Sequence, residues 1–323
     1  MPLTIKAEPV NDSVIVGWGA DELSKNSKGG TEMMRDGLYE RLPEDLRDQF
    51  QVICSRVREL DGRPAILWLH DMWSDPEAQH LTEKDSRARF EKLVFVSHWQ
   101  QSTYNIGLGV PYEDGVVLRN AIDPIEYVEK KEDQIRLIYH TTPHRGLDLL
   151  VPAYDALYNI WGDKIHLDVY SSFSIYGWSQ RDKPFEPLFE RCRQHPGITY
   201  HGYQPNDVIR EALKQAHIYS YPCIWPETSC ISIIEAMSAG CAIVTSSLGA
   251  IPETTGHFAT MYPYRENDND HANAFAQVLH NQIHNIFSDD EKIKLNIQRN
   301  WANSFYNWDT RTMEWTSLLR GLQ

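Results

Sequence analysis

The sequence is short of the features that hold a small secreted fold together, and of those that grip nucleic acid or a bilayer. Among its 323 residues are five cysteines, Cys54, Cys192, Cys223, Cys230 and Cys241. The odd count and the lack of any CxxC pair leave no disulfide framework and no zinc site, so the thiols read as reduced core residues of a cytoplasmic protein. Basic residues are few: 31 lysines and arginines stand against 45 acidic residues, a formal charge of −14. That balance argues against a broad grip on nucleic acid or anionic lipid, while leaving room for a local basic pocket. No apolar run reaches the ~18 residues of a membrane span, and MPLTIKAEPVNDSVIVGWGA at the start lacks a leader-peptide pattern. The acidic pairs Asp71/Asp75 and Asp268/Asp270 read as loop carboxylates, so no metal site is expected.

What is present is an alternation of short apolar runs with longer periodic segments. SVIVGWGA (13–20), FQVICS, AILWLHD, KLVFVSHW and GVVLRNAID read as strands, with TEMMRDGLYERL as a helix after the first. The charge run EYVEKKEDQ reads as a solvated linker. A second series follows. IRLIYHTT, KIHLDVYSS, ITYHGY, HIYSYPC and CAIVTSS are strands, with a short FATMYPY after them. LDLLVPAYDALYNIW, PFEPLFERCRQH and NDVIREALKQA are helices, the last opened by an Asn206 cap, and the tail is helical. Strand–helix alternation implies parallel sheets with helices on both faces. Two such series predict an α/β protein of two facing Rossmann-like domains, with ligands bound at the carboxyl ends of the strands.

The loops after those strands carry the candidate chemistry. In PETSCISIIEAMSAGCAIVTSSLGAIPE, only Glu235 is charged between Glu227 and Glu253. Ile233, Ala236, Met237 and Gly240 follow helical core spacing, with Glu235 opposite, but its own side (Ile231, Ser232, Ser238, Ala239) is also uncharged. A sheltered carboxylate needs donors. On one continuous helix Glu227 and Glu235 would lie ~12 Å and roughly 80° apart, so Glu227 is expected in a loop, with the helix starting near 229–232. The amides of Ser229, Cys230 and Ile231 would then face an anion, and Glu235 would accept two hydroxyls, the usual device for a ribose diol in such folds. Gly29 and Gly30 precede the first helix and would let amides approach an anion. His70 closes an apolar strand and faces the crevice or fills core; Trp68 and Trp73 beside it could stack on a sugar or fill core. Arg145 and Gly146 stand just before a helix, where phosphate oxygens are drawn.

In these residues the chain resembles the family 4 glycosyltransferases, retaining enzymes of two-domain GT-B architecture. Glu227 and Glu235, with seven residues between, then Ala-Met-x-x-Gly, Gly249 and Glu253, are similar to the family's E-x7-E segment. Gly29-Gly30-Thr31-Glu32 resembles its glycine loop, His70 its crevice histidine, VLRNAID its hinge-leading segment, and Arg145-Gly146 its Lys-Gly pair. SFYNWDTRTMEW resembles a terminal helix that crosses back to the first domain. The second basic residue that the family usually carries before Lys-Gly falls near His140 or Thr141, so phosphate neutralisation would rest on Arg145, His140 or His144, and backbone amides.

The resemblance implies an acceptor domain over 1–127, a donor domain over 133–300 and a crossing helix over 301–323. It further implies metal-independent, retaining transfer from a nucleotide-diphosphate sugar, UDP- or GDP-linked, to an acceptor that is a carbohydrate, lipid-linked or other. Arg145 and the amides at 229–231 would stabilise the departing diphosphate, Glu235 would hold the ribose, Glu227 the donor sugar near its anomeric centre, and His70 the sugar from across the cleft. No cofactor is permanently bound in this reading, and nucleic acid is not an expected partner. A sugar-nucleotide epimerase and a catalytically silent nucleotide-sugar-binding module are the alternatives.

Overall fold

The structure, a computed structural model, describes residues 28–57 and 59–323. The expected strand at 13–20 and the front of the glycine loop, 24–27, lie outside the described residues. The other strand expectations meet their elements. β1 (Gln51–Cys54), β2 (Ala65–Leu69), β3 (Lys92–Phe95) and β4 (Gly115–Val117) form one sheet in that order. β5 (Ile135–Tyr139), β6 (Ile165–Val169), β7 (Ile198–Tyr200), β8 (Ile218–Tyr221), β9 (Ala242–Ser246) and β10 (Thr260–Tyr262) form a second, ordered β10-β9-β8-β5-β6-β7. Every pairing among the described strands is parallel. AILWL and AIVTS are buried at all five positions each, as strands covered on both faces must be.

The order of the second sheet sets the site. From β5 the chain winds outward through β6 and β7, then returns to pair β8 with β5 and winds the other way. The reversal opens a crevice above the carboxyl ends of β5 and β8. The loops leaving those two strands carry Arg145 and Glu227. The helix Leu147–Trp161 roofs this sheet with Leu147, Leu150, Val151 and Tyr154, all fully buried, the face that the sequence pattern specifies.

The tail joins the domains. The helix Asp289–Phe305 packs on the helix Ile231–Ser238 of the second domain. The chain then bends at Tyr306, Asn307 caps the next helix by accepting from Thr310 N at 2.7 Å, and Trp308–Arg320 packs on the first domain. Trp315 meets Trp68 edge-on at 4.9 Å, and Trp308 lies so close over Gly37 that a Cβ there would sit 2.3 Å from its ring. The crossing segment therefore begins at the bend; Trp301, expected on it, still packs against Phe258 in the second domain. Trp68 is core, and Trp73 packs on Gly107.

The charge run between the domains is solvated, as expected, with seven of its nine residues (126–134) exposed and none buried, and it is tied down at two points. Arg299 lies over the Tyr127 ring at 4.1 Å, and Lys130 Nζ approaches Cys241 Sγ at 3.5 Å. All five cysteines are free thiols. Among the described residues no helix is long and apolar enough to cross a membrane, and no group of three or more His, Cys, Asp or Glu could hold a metal ion.

Candidate active site

A cleft of about 1030 Å³ runs between the two sheets and draws its walls from both domains. His70, Arg145, Glu227 and Glu235, scattered over 166 positions of sequence from 70 to 235, all line it. So do Gly30, Ser229, Cys230 and Ile231. Gly29 sits beside the cleft as N-cap of the helix Gly30–Arg41; a Cβ on it would lie 2.6 Å from the Tyr176 ring of the second domain. Gly30 packs similarly on Ile231, so this glycine pair serves close approach of the two domains.

Arg145 and Glu227 form the centre. Arg145 Nη1 donates to Glu227 Oε1 at 2.6 Å, and the buried Tyr221 hydroxyl donates to the same oxygen at 2.7 Å. Burial is the largest single influence and works against the charge on Arg145, but the Glu227 carboxylate together with Tyr176, Tyr221 and Cys230 outweighs it and holds the guanidinium well above its ordinary range. Arg145 Nε has no hydrogen-bond partner among the described residues. Two glycines allow this arrangement. Gly146, at φ +123, turns the chain into the next helix with its Cβ position 2.2 Å from Pro222 O. Gly249, at φ +65, lies against the backbone of Glu227, where a Cβ would stand 2.7 Å from both its N and O. Only glycine meets both the positive φ and the lack of space.

Glu227 lies in a loop, as expected, and the helix begins at Ile231. Its N-cap, Cys230, supplies no side-chain bond, so the helix end presents its first amides without a side-chain cap. Glu235 follows one turn in. It is only 3% exposed, yet it lines the cleft. Its Oε1 accepts from Arg210 Nη1 at 2.8 Å and from Asn206 Nδ2 at 3.0 Å. Burial pushes its carboxyl above the ordinary range, while Asn206 and Arg210 pull it back. One oxygen is thus already engaged, whereas the expected grip on two hydroxyls called on the whole carboxylate; Oε2 has no partner among the described residues. Asn206 is not the helix cap that its sequence position implies. Pro205 holds that place, and the Asn206 amide turns to Glu235 instead.

The histidines differ from expectation in charge. Burial lowers His70 and His140 to about 3 and holds His144 well below its ordinary value, so none carries a proton near neutrality. Among the protein's own groups His140 and His144 are therefore neutral, and Arg145 carries the positive charge beside them. His144 stacks on Phe173 at 5.1 Å, whereas His70 Nε2 has no hydrogen-bond partner among the described residues.

Side chains and backbone close the domains on each other beside the site. Ser97 Oγ donates to Thr228 O at 2.7 Å, and Thr228 Oγ1 donates to His70 O at 2.8 Å. Glu253 accepts from His98 N and Trp99 N, each at 3.0 Å, at the start of the first-domain helix His98–Leu108, and from Arg119 Nη2 at 3.0 Å. Sequence reasoning placed Glu253 within a motif but gave it no partner, and it missed Arg119, Asn206, Arg210 and Tyr221. Arg210 alone left a signal: it follows Asn206 by four residues, on one face of an amphipathic helix.

Comparison with known proteins agrees with this geometry. Residues 120–298 match the family model "Glycosyl transferases group 1". A human phosphatidylinositol N-acetylglucosaminyltransferase subunit is 28% identical over 170 residues, 50% of this chain and 33% of the human protein, so the match spans about a third of that relative. In three dimensions, a glycosyltransferase from Rickettsia africae aligns with a TM-score of 0.65 at 13% identity, over 93% of this chain and 84% of its own. Anabaena HepE, solved in complex with UDP-glucose, aligns with a TM-score of 0.61 at 16% identity, over 80% and 72%. The fold is that of the GT-B glycosyltransferases, and with more than half of its length under the family model, the chain belongs to the glycosyl transferases group 1 family.

Proposed function

We propose that the protein transfers a sugar from a UDP-linked donor to a hydroxyl-bearing acceptor within the interdomain cleft, with retention of anomeric configuration and without a required metal. The carrying observation is the Arg145–Glu227 pair at the strand-order reversal, set against the open N-terminus of the helix that holds Glu235. Glu235 takes ribose hydroxyls through Oε2. The diphosphate lies between Arg145 and the amides of Ser229, Cys230 and Ile231. As the glycosidic bond lengthens, positive charge grows on the sugar ring and negative charge on the leaving diphosphate. Arg145 meets the second and Glu227 the first, so both act more strongly at the transition state than in the ground state. His70, neutral and with Nε2 unpaired among the described residues, donates to or accepts from the donor sugar across the cleft. The interdomain bonds at Thr228 and Glu253 hold the two domains together beside the cleft.

HepE in its UDP-glucose complex supports a UDP donor, and the name of the human relative makes N-acetylglucosamine the second sugar to try. Incubation with UDP-glucose, UDP-N-acetylglucosamine and GDP-mannose tests the reading. Release of UDP, unaffected by EDTA, with an axial anomeric product from an axial donor, is the expected result. Binding without release would point to a silent module, and isomerised donor to an epimerase; either would overturn the transferase reading.

A further inference from the structure

Arg210 stands behind Glu235, outside the cleft lining formed by the described residues, and has a second set of partners. Its Nη1 reaches Glu235 Oε1 at 2.8 Å, while its Nη2 reaches Asp123 O at 2.7 Å and Pro124 O at 3.4 Å. Those carbonyls begin the segment that connects the domains. The path continues into the first domain, because both oxygens of the Asp123 carboxylate accept from Arg41 Nη2 at 3.0 Å, and the Arg41 guanidinium lies over Trp308 of the crossing helix at 5.1 Å. The same connector is pinned elsewhere through its amides: Ile122 N donates to Tyr306 O at 2.7 Å and Ile125 N to Ser238 Oγ at 2.8 Å.

We infer that Arg210 is a positioning residue that couples occupancy of the nucleoside end of the cleft to the connector between the domains. It acts through Glu235, so the inference rests on the reading that Glu235 takes ribose hydroxyls. A planar guanidinium can serve the carboxylate with one nitrogen and the connector carbonyls with another; an ammonium offers one point and cannot span both. With Arg210 and Asn206 sharing Oε1, the carboxylate plane is fixed and Oε2 is presented to the cleft. When ribose hydroxyls draw on Oε2, the carboxylate's pull on Arg210 changes, and Arg210 passes the change to the carbonyls of Asp123 and Pro124.

The test pairs a change in the protein with a change in the ligand. UDP and 2′,3′-dideoxyuridine diphosphate are titrated calorimetrically into the wild type, Arg210→Gln and Arg210→Lys. The wild type binds UDP more tightly. Arg210→Gln weakens UDP by about tenfold, the scale of one hydrogen bond to a charged group, and the dideoxy analogue by less than about twofold. A merely structural role weakens both alike. Arg210→Lys keeps UDP affinity within about threefold, and it carries the test if the glutamine variant does not fold. Hydrogen exchange supplies the second reading: saturating UDP slows the amides of 120–126 in the wild type and leaves them unchanged in Arg210→Lys. A wild type that binds both nucleotides equally removes the ribose reading itself. A wild type that discriminates, with an Arg210→Gln variant that discriminates as strongly or an Arg210→Lys variant that keeps the UDP-dependent protection, leaves that reading standing and overturns the role of Arg210.

Discussion

Replacing Glu235 by alanine separates donor binding from chemistry. The side chain is 3% exposed and takes charge-assisted bonds from Arg210 at 2.8 Å and Asn206 at 3.0 Å. A hydrogen bond to a charged group is worth about 1.5–3 kcal/mol net. Loss of the ribose grip through Oε2 therefore raises the donor KM about 10- to 150-fold. The ribose lies away from the reacting carbon, so the lost binding is common to ground state and transition state, and kcat changes little. Stability also falls. Breaking a buried ion pair costs about 3–5 kcal/mol, but the Arg210 side chain is 22% exposed and can regain water. Deleting the carboxylate also removes its own burial cost, so a net loss of about 2 kcal/mol is expected. Glu235→Gln keeps an acceptor for Arg210 and should fall between. Steady-state kinetics on the donor, UDP calorimetry and urea unfolding of the three proteins measure all of this. A donor KM within about twofold of the wild type in a folded alanine variant would refute the ribose assignment.

Other outcomes follow from the same structure. Arg145→Ala removes the cation facing the diphosphate and should lower kcat about 10²–10³-fold, with circular dichroism unchanged; a wild-type rate excludes this role. Gly249→Ala places a Cβ 2.7 Å from Glu227 N and O at a φ of +65, so the loop must shift; kcat should drop at least about tenfold by displacement of Glu227, which single-turnover kinetics would detect. Burial lowers His70 and His140 to about 3, and His217 and His271 to about 4. Below the ordinary 6.5 the unfolded chain takes up protons that the native state refuses, so stability falls as pH drops from 6.5 towards 4. Near pH 5 each such histidine contributes a slope of about 1.4 kcal/mol per pH unit, and urea titrations of His217→Gln against the wild type should show one slope fewer. Asp148 has the opposite sign: burial raises it from 3.8 to about 6, so its ionisation costs stability above pH 6, on the order of 3 kcal/mol, and nothing below 3.8. Asp148→Asn should be more stable than the wild type at pH 8, with the gain gone at pH 3.5.

The strands from FQVICS to CAIVTSS, and the loop-then-helix form of the segment from Glu227 to Glu235, could be read from the sequence because they depend on near neighbours. Apolar runs of five to eight residues between polar segments leave few alternatives to buried parallel strands, and alternation with helices then dictates two-layered burial. Glycines before helices and a Pro-Thr-Ser loop before an apolar helix mark where anions and diols can be met. The chain order of those elements, with Arg145 after β5 and Glu227 after β8, was also present in the sequence.

Which side chains meet was decided by the tertiary structure. Arg145 and Glu227 are 82 positions apart, and Glu235 finds Asn206 and Arg210 at separations of 29 and 25. No local pattern reports such pairs, because the sheet order that brings β5 beside β8 is a property of the whole fold. Asn206 shows the difference well: a helix-start asparagine reads as a cap until a buried carboxylate offers a better acceptor. The histidines show it too, since charge at neutral pH depends on burial, and burial is set by residues far away in the chain. The bend at Tyr306, which sends one helix to each domain, depends likewise on Ile122 meeting Tyr306 across 184 positions. Local chemistry chose the elements; long-range packing chose the partners and, through them, the charge states within the cleft.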